Sequence, residues 1–125
     1  MLRIGVDLIE VARVERLLAD HPGAGEEIFS ERELAYANRS SRPAERLAGR
    51  VAVKEAVLKA FGTGLGQRMR WTEVEVINEP LGRPRVELHG EVARWAERRR
   101  VTAVEVSLSH AAGLAVAQAA VQLDG

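Results

Sequence analysis

The chain has 125 residues, of which 46% are hydrophobic and 29% are charged, and this composition excludes disorder caused by low hydrophobicity. Its 18 basic and 18 acidic side chains cancel, which argues against a nonspecific nucleic-acid binder. The absence of cysteine excludes a disulfide framework, a thiolate metal site and a cysteine nucleophile. We expect one domain over residues 1–125, soluble and cytoplasmic, with no signal peptide and no membrane-spanning segment.

The first twenty residues predict a strand followed by an amphipathic helix. Leu2 to Leu8 is rich in aliphatic and β-branched side chains, and from Ile9 the apolar residues recur at helical spacing. Asp7 lies at the junction, where its D-x-x-E spacing to Glu10 predicts a helix cap. An acid held at the end of a rigid element is also a candidate ligand for a hard metal ion. The residues alone favour the cap, because such caps are common.

Two helices are predicted in the middle of the chain. The Ser30–Glu33 segment is an S-x-x-E capping box that opens a short helix through about Asn38. Pro43 suits the start of a second helix, because its missing N–H costs nothing there. Ala44–Phe61 is dense in strong helix formers, so it predicts the longest helix, with Gly62 as the residue that ends it.

The second half of the chain predicts two hairpins with a helix between them. These elements are strands near Val74–Ile77 and Val86–Leu88 joined through Glu79–Pro84, a helix over Glu91–Arg100, and strands Val104–Leu108 and Leu114–Val121 that turn around Ala111–Gly113. Ala115–Ala120 fits a helix as well as a strand on propensity. The predicted class is α+β, a single compact domain with a small antiparallel sheet packed against one long and several short helices.

The charged side chains of the longest helix allow two interpretations. Arg46, Arg50 and Lys54 recur every four residues and predict one positive stripe, while Glu55 and Lys59 have the spacing of an exposed ion pair. In a phosphate site, the same cations would neutralise phosphate oxygens and the carboxylate would hold Mg²⁺. The pattern alone favours the solvated face.

The remaining motifs indicate structure when each is considered alone. Gly62–Gly66 lacks the P-loop pattern and follows a helix, so it predicts a helix cap and a turn. His110 closes the Ser107–His110 segment, but the chain has no G-x-S-x-G nucleophile elbow. We favour a structural histidine, with donation to a phosphate as the alternative. His21 and His89 belong to no paired-histidine motif, which disfavours zinc.

Taken in order, these motifs resemble the small holo-[acyl-carrier-protein] synthases, a family of phosphopantetheinyl transferases. The most specific segment is Arg46–Gly64, which is similar to the family's R-x-A-x-K-E-A-x-x-K-A-x-G signature. Ile4–Arg13, Phe29–Leu34, Glu75–Val86 and Val106–His110 resemble the family's other blocks. The resemblance therefore extends over nearly the whole chain.

The resemblance implies transfer of 4′-phosphopantetheine from coenzyme A to a serine of apo acyl carrier protein. Mg²⁺ is the implied metal, with Mn²⁺ as a possible substitute; the implied product is adenosine 3′,5′-bisphosphate, and the implied pathway is fatty acid or polyketide synthesis. Asp7 and Glu55 are the implied metal ligands, and Lys59 joins them as catalytic residues. The implied coenzyme A ligands are Arg50, Lys54, Lys59, Gly62, Gly64 and His110. Arg13 and Arg16 are the implied carrier-protein contacts.

The resemblance further implies a homotrimer with active sites between subunits, and no nucleic-acid or membrane partner. Two alternatives stay open from the sequence. One is a non-catalytic α+β module that binds coenzyme A or a nucleotide, and the other is a plain structural domain in which Asp7 is a cap and Glu55–Lys59 is a surface pair.

Overall fold

The computed structural model describes residues 1–124 and contains every helix and strand expected from the sequence, with one further α-helix and a 3₁₀ turn. In chain order the elements are β1 (Leu2–Glu10), α1 (Val11–Asp20), α2 (Ala24–Ile28), α3 (Glu31–Asn38), α4 (Pro43–Phe61), the 3₁₀ turn Trp71–Glu73, β2 (Val74–Asn78), β3 (Pro84–Leu88), α5 (Gly90–Arg98), β4 (Val101–Ala111) and β5 (Leu114–Leu123). No helix within residues 1–124 has both the length and the hydropathy that crossing a bilayer requires.

The strands form two antiparallel sheets, one of three strands in the order β1-β5-β4 and one of the two strands β2 and β3. The α+β class is confirmed, and the predicted single sheet is corrected to two. Ala115–Ala120 is strand, because β5 pairs with β1 on one side and β4 on the other. Every second residue of β5 is buried, and three of these are alanines, at positions 115, 117 and 119. Their small side chains let a helix approach the sheet closely.

Helix α4 packs on this three-stranded sheet and forms the centre of the core. Its closest approach is at Gly5, where an added Cβ would lie 2.0 Å from the Ala56 carbonyl oxygen and 2.6 Å from the Ala60 nitrogen. Strand β1 therefore touches the backbone of α4 directly. Residues two apart on a strand share a face, so Asp7 also points toward α4.

Local signals at two helix ends are confirmed. Ser30 caps α3 by accepting the Glu33 N–H, and the Glu33 carboxylate accepts the Ser30 N–H in return. Gly62 follows α4 with a φ of +85°, a left-handed conformation that favours glycine. Both signals depend only on neighbouring residues, which is why the sequence reveals them.

Two predictions about charged residues are wrong. Asp7 caps no helix, because β1 continues through Glu10 in its pairing with β5, and α1 begins only at Val11. The positive stripe of α4 does not exist either. Arg50 is 2% exposed and Lys54 is 0% exposed, because α4 is packed against other elements around most of its circumference.

Candidate functional site

A cleft of about 510 Å³ lies between the end of β1, helix α1 and helix α4. Five of the predicted site residues line it: Asp7 from β1, Arg13 and Arg16 from α1, and Glu55 and Lys59 from α4. Glu55 and Lys59 are one helical turn apart, and both lie beside the strand that carries Asp7. The fold thus brings together two acidic residues, Asp7 and Glu55, that are 48 residues apart in the sequence.

The Lys59 side chain forms two hydrogen bonds to strand β1. Its ammonium donates to Asp7 Oδ1 at 3.0 Å and to the Val6 carbonyl oxygen at 3.2 Å. The Asp7 side chain is 16% exposed and that of Lys59 is 52% exposed, so the pair lies at the rim of the cleft. Among residues 1–124, no ion pair joins Lys59 to Glu55, and the predicted surface pair between them is wrong. The ammonium turns to β1 because the strand offers two acceptors.

The electrostatics of the cleft favour a bound cation. Burial raises the pKa of Glu55, and the negative charge of Asp7 raises it further, while Lys59 acts in the opposite direction. Two carboxylates that repel each other in a partly buried site are stabilised by a divalent cation, and carboxylate oxygens are the ligands that Mg²⁺ prefers. The donor set of Asp7 and Glu55 therefore fits a hard metal ion.

Gly62 and Gly64 lie at the exposed end of α4, one turn beyond Lys59. Both have a positive φ, +85° at Gly62 and +58° at Gly64, and nothing lies within 4 Å of a Cβ added at Gly64. Their backbone is therefore accessible from outside. The Arg3 guanidinium lies 3.4 Å from a Cβ added at Gly62 and donates to the Phe61 carbonyl, so it borders this end of α4.

Arg50 and His110 lie outside the cleft. Arg50 donates to Asn78 Oδ1, and its guanidinium lies 4.1 Å from the centre of the Tyr36 ring. Burial lowers the pKa of Arg50, and its Nε has no hydrogen-bond partner among the described residues. His110 Nε2 lies 2.9 Å from the Glu45 carbonyl oxygen, so this nitrogen carries the proton. One chain alone does not bring these two side chains to Asp7.

Lys54 has no donor left for a phosphate. Its ammonium donates to Glu33 Oε1 at 2.9 Å, to the Trp71 carbonyl at 3.0 Å and to the Val74 carbonyl at 2.6 Å. These three bonds use all the donors of a lysine ammonium, which is fully buried. The prediction that Lys54 binds coenzyme A is therefore corrected to an internal role. Glu33, its partner, was expected only to complete a capping box.

A second acidic cluster lies away from the cleft, where oxygen and nitrogen atoms of Glu75, Glu87 and His89 all lie within 4.8 Å of one another. Arg32 already neutralises it, since its guanidinium donates to Glu75 at 2.6 Å and to Glu87 at 2.8 Å. Burial alone would raise the pKa of Glu75, but hydrogen bonds from Arg32, Ser30 and His89 lower it to about 2. This cluster is an ion-pair network that joins α3 to the β2–β3 hairpin.

Comparison with known proteins shows which family the chain resembles. The family model of the 4′-phosphopantetheinyl transferase superfamily matches residues 3–119. A holo-[acyl-carrier-protein] synthase from Moorella thermoacetica is 43% identical over 122 residues, which are 98% of this chain and 94% of that protein. Another from Natranaerobius thermophilus is 42% identical over 120 residues, which are 95% of each chain.

Solved structures with the same fold include two with bound ligand. An ACPS–CoA complex from Chronobacterium ammoniagenes superposes with a TM-score of 0.88 at 29% identity, covering 100% of this chain and 99% of that one. A holo-(acyl-carrier-protein) synthase from Bacillus anthracis, in complex with CoA (3′,5′-ADP), has a TM-score of 0.79 at 35% identity and covers 98% and 96% of the two chains.

Proposed function

The chain belongs to the 4′-phosphopantetheinyl transferase superfamily, and from this premise we propose that it moves 4′-phosphopantetheine from coenzyme A to a serine of apo acyl carrier protein. The serine oxygen forms a bond to the phosphorus nearest the pantetheine, the bond to the leaving oxygen breaks, and adenosine 3′,5′-bisphosphate departs. The observation that carries the proposal is the convergence of Asp7, Glu55 and Lys59 in a cleft bordered by α1. A purely structural domain does not require two carboxylates and an ammonium group to meet in an open cleft.

Asp7 and Glu55 are the residues that would hold Mg²⁺. Their carboxylates come from two rigid elements, and the cleft that they line is open on one side. Mn²⁺ has similar ligand preferences and is the expected substitute. When bound, the ion supplies positive charge that neutralises the pyrophosphate oxygens of coenzyme A.

Lys59 is proposed to stabilise the leaving group. Two of its three ammonium donors bind Asp7 and the Val6 carbonyl, which fixes the charge at the rim and leaves one donor for a phosphate oxygen. Phosphoryl transfer depends mainly on positioning and charge neutralisation, and a cation already held in place needs no reorganisation during the reaction. The N–H groups of Gly62 and Gly64 already donate to the Leu58 carbonyl, so these two residues are proposed to contribute to coenzyme A binding by leaving room for it where a side chain would stand.

Glu55 is proposed to orient the water that takes the serine proton. Its carboxylate is partly buried and lines the cleft, where it can accept a hydrogen bond from such a water. The proton of the serine hydroxyl passes to this water as the new oxygen–phosphorus bond forms. Asp7 contributes by holding Lys59.

Arg13 and Arg16 are proposed to bind the carrier protein. Both are exposed on α1 and line the same cleft as the reacting groups, so a partner bound there would present its serine to the site. An acidic partner would associate faster with this basic edge, and added salt would weaken the effect. We propose fatty acid or polyketide synthesis as the pathway, and the cytoplasm, with which the cysteine-free sequence is consistent, as the location.

We propose a homotrimer with active sites between subunits. The outer face of β1 presents four aliphatic side chains, Leu2, Ile4, Val6 and Leu8, which are 54–62% exposed. A continuous apolar row of this kind is typical of a surface that another protein covers. Arg50 and His110 are proposed to act in a site shared with a neighbouring copy; Arg50 lines a separate pocket with Tyr36 and Asn78, and it would have to release Asn78 to contact a ligand there. Light scattering of the parent and of Ile4→Glu tests this, because the charge should break the assembly.

Mass spectrometry tests the proposed function directly. The purified chain is incubated with coenzyme A, Mg²⁺ and an apo carrier protein, and the carrier is examined for the phosphopantetheine adduct and the solution for adenosine 3′,5′-bisphosphate. A carrier with its acceptor serine replaced by alanine is the control. Binding of coenzyme A without transfer would favour the non-catalytic module. No thermal shift with coenzyme A and Mg²⁺ would favour the structural domain.

A further inference from the structure

Glu33 and Lys54 form a fully buried ion pair at the centre of the molecule. Both side chains are 0% exposed, and their charged atoms lie 2.9 Å apart. Glu33 also accepts the Ser30 N–H at 2.8 Å and the Val76 N–H at 2.9 Å. The pair thus joins helices α3 and α4 to strand β2.

Stability alone is a weak reason for such a pair. Removing two charges from water is expensive, and replacing a buried ion pair by uncharged side chains of similar volume is often neutral or stabilising. Lys54 precedes Glu55 on α4, but its side chain points away from the cleft that Glu55 lines. Its ammonium also holds backbone outside α4.

Lys54 fastens the end of the segment that follows α4. The chain leaves the helix at Gly62, passes through residues 63–70 and returns at Trp71 and Val74, whose carbonyl oxygens accept from Lys54 at 3.0 and 2.6 Å. The N–H groups of Gly62, Thr63 and Gly64 all donate to the Leu58 carbonyl of α4, which holds the departing end of the segment. Inside the segment, Met69 N–H donates to the Gly66 carbonyl at 3.2 Å. The position of this segment therefore depends on its two ends.

We propose that Glu33 and Lys54 are positioning residues that hold the segment 62–70 in the conformation that binds coenzyme A. Lys54 fixes the returning end of the segment, and Glu33 fixes Lys54, while neither side chain contacts the substrate. The inference rests on the proposed function in one respect, which is that coenzyme A is the ligand bound at Gly62 and Gly64.

The double variant Glu33→Gln/Lys54→Met tests the proposal. It removes both charges, so no unpaired charge stays buried, but the Trp71 and Val74 carbonyls lose their donor. We expect the KM for coenzyme A to rise about tenfold or more, with kcat changed less than about threefold, because the segment binds substrate and takes no part in the chemistry. Amides of residues 62–70 should exchange with solvent about tenfold faster without ligand.

Two further variants make the result specific. Val121→Ala removes buried volume on β5, away from the pair and the cleft, and should lower stability without changing the KM or the exchange of residues 62–70. Glu33→Gln/Lys54→Gln keeps a donor for one of the two carbonyls, so it should return the KM toward the parental value. If the first double variant does not fold, Glu33→Gln/Lys54→Gln is used in its place, and its KM for coenzyme A should still be several-fold above the parental value.

The outcomes separate this inference from the proposed function. A double variant with parental KM and parental exchange would show that the pair only stabilises the fold, as would an equal rise in KM for Val121→Ala. If the parent itself transferred nothing, the proposed function would be wrong. Hydrogen exchange would still decide whether Lys54 holds the segment, because that readout needs no activity.

Discussion

Gly5→Ala tests the contact that sets the distance between β1 and α4. A Cβ at this position would lie 2.0 Å from the Ala56 carbonyl oxygen, whereas ordinary contacts begin at 3.4 Å, so strand and helix would have to separate by about 1.4 Å. The opposing atoms are backbone, and no side chain can rotate away. We expect the free energy of unfolding to fall by about 3 kcal/mol or more, measured by chemical denaturation.

The same displacement should reduce transfer in the molecules that stay folded. Asp7 lies two residues beyond Gly5 and would move away from Glu55 and Lys59, and a misplacement of about 1 Å can cost about a hundredfold in rate. Gly23→Ala is the matched control, since nothing lies within 4 Å of its added Cβ, and we expect its stability to stay within about 0.5 kcal/mol of the parent. A Gly5→Ala protein as stable and as active as the parent would refute the close-contact argument.

Substitutions at three further residues test individual side chains. Lys59→Met should lower turnover by about a hundredfold with a much smaller loss of coenzyme A affinity, because the lysine charge matters most when the leaving group forms. Lys59→Arg should restore only part of the turnover. Turnover and coenzyme A binding are measured separately, and a parental rate for Lys59→Met would show that Lys59 takes no part in the reaction. Arg13→Glu should weaken use of the carrier protein more than binding of coenzyme A, and kinetics at two salt concentrations should show a smaller penalty at the higher one; equal losses for both substrates would place Arg13 elsewhere. Glu75 has its pKa lowered from 4.5 to about 2, so the stability that its ionised form contributes is fully present above pH 4.5 and is lost as the pH falls toward 2. Glu75→Gln should therefore lower the free energy of unfolding by about 3 kcal/mol at pH 7 and by progressively less in acid. Denaturation curves of both proteins across this pH range check this, and a difference in stability that did not change with pH would contradict the assignment.

Much of the fold could be predicted because its signals are local. The Ser30–Glu33 capping box and the glycine at position 62 each depend on a few adjacent residues, and both are as expected. That Asp7 caps no helix could not be predicted from adjacent residues. Pairing of β1 with β5 extends the strand three residues beyond Asp7, and such long-range pairing overrides a local capping pattern.

The candidate site was less accessible to sequence reasoning. Asp7 and Glu55 are far apart along the chain, so only the family resemblance suggested that they meet. Lys54 was misjudged in two ways, because its spacing from Arg50 predicts a solvated face and the family resemblance implies a coenzyme A ligand, whereas its side chain is fully buried. Apolar residues occur on every side of α4, a pattern typical of a buried helix, and it could have indicated that both cations are internal. Its partner Glu33 lies on another helix and could be found only from the structure.

Transfer activity of two carboxylate variants shows whether Asp7 and Glu55 form a metal-dependent transferase site. Asp7→Ala and Glu55→Ala are each incubated with coenzyme A, apo carrier protein and a series of Mg²⁺ concentrations, after circular dichroism has established that they fold. We expect both variants to be folded and neither to form the phosphopantetheine adduct at any Mg²⁺ concentration at which the parent is saturated. Mg²⁺-dependent transfer at the parental rate by folded Asp7→Ala would contradict the assignment of this cleft as the metal-dependent transferase site.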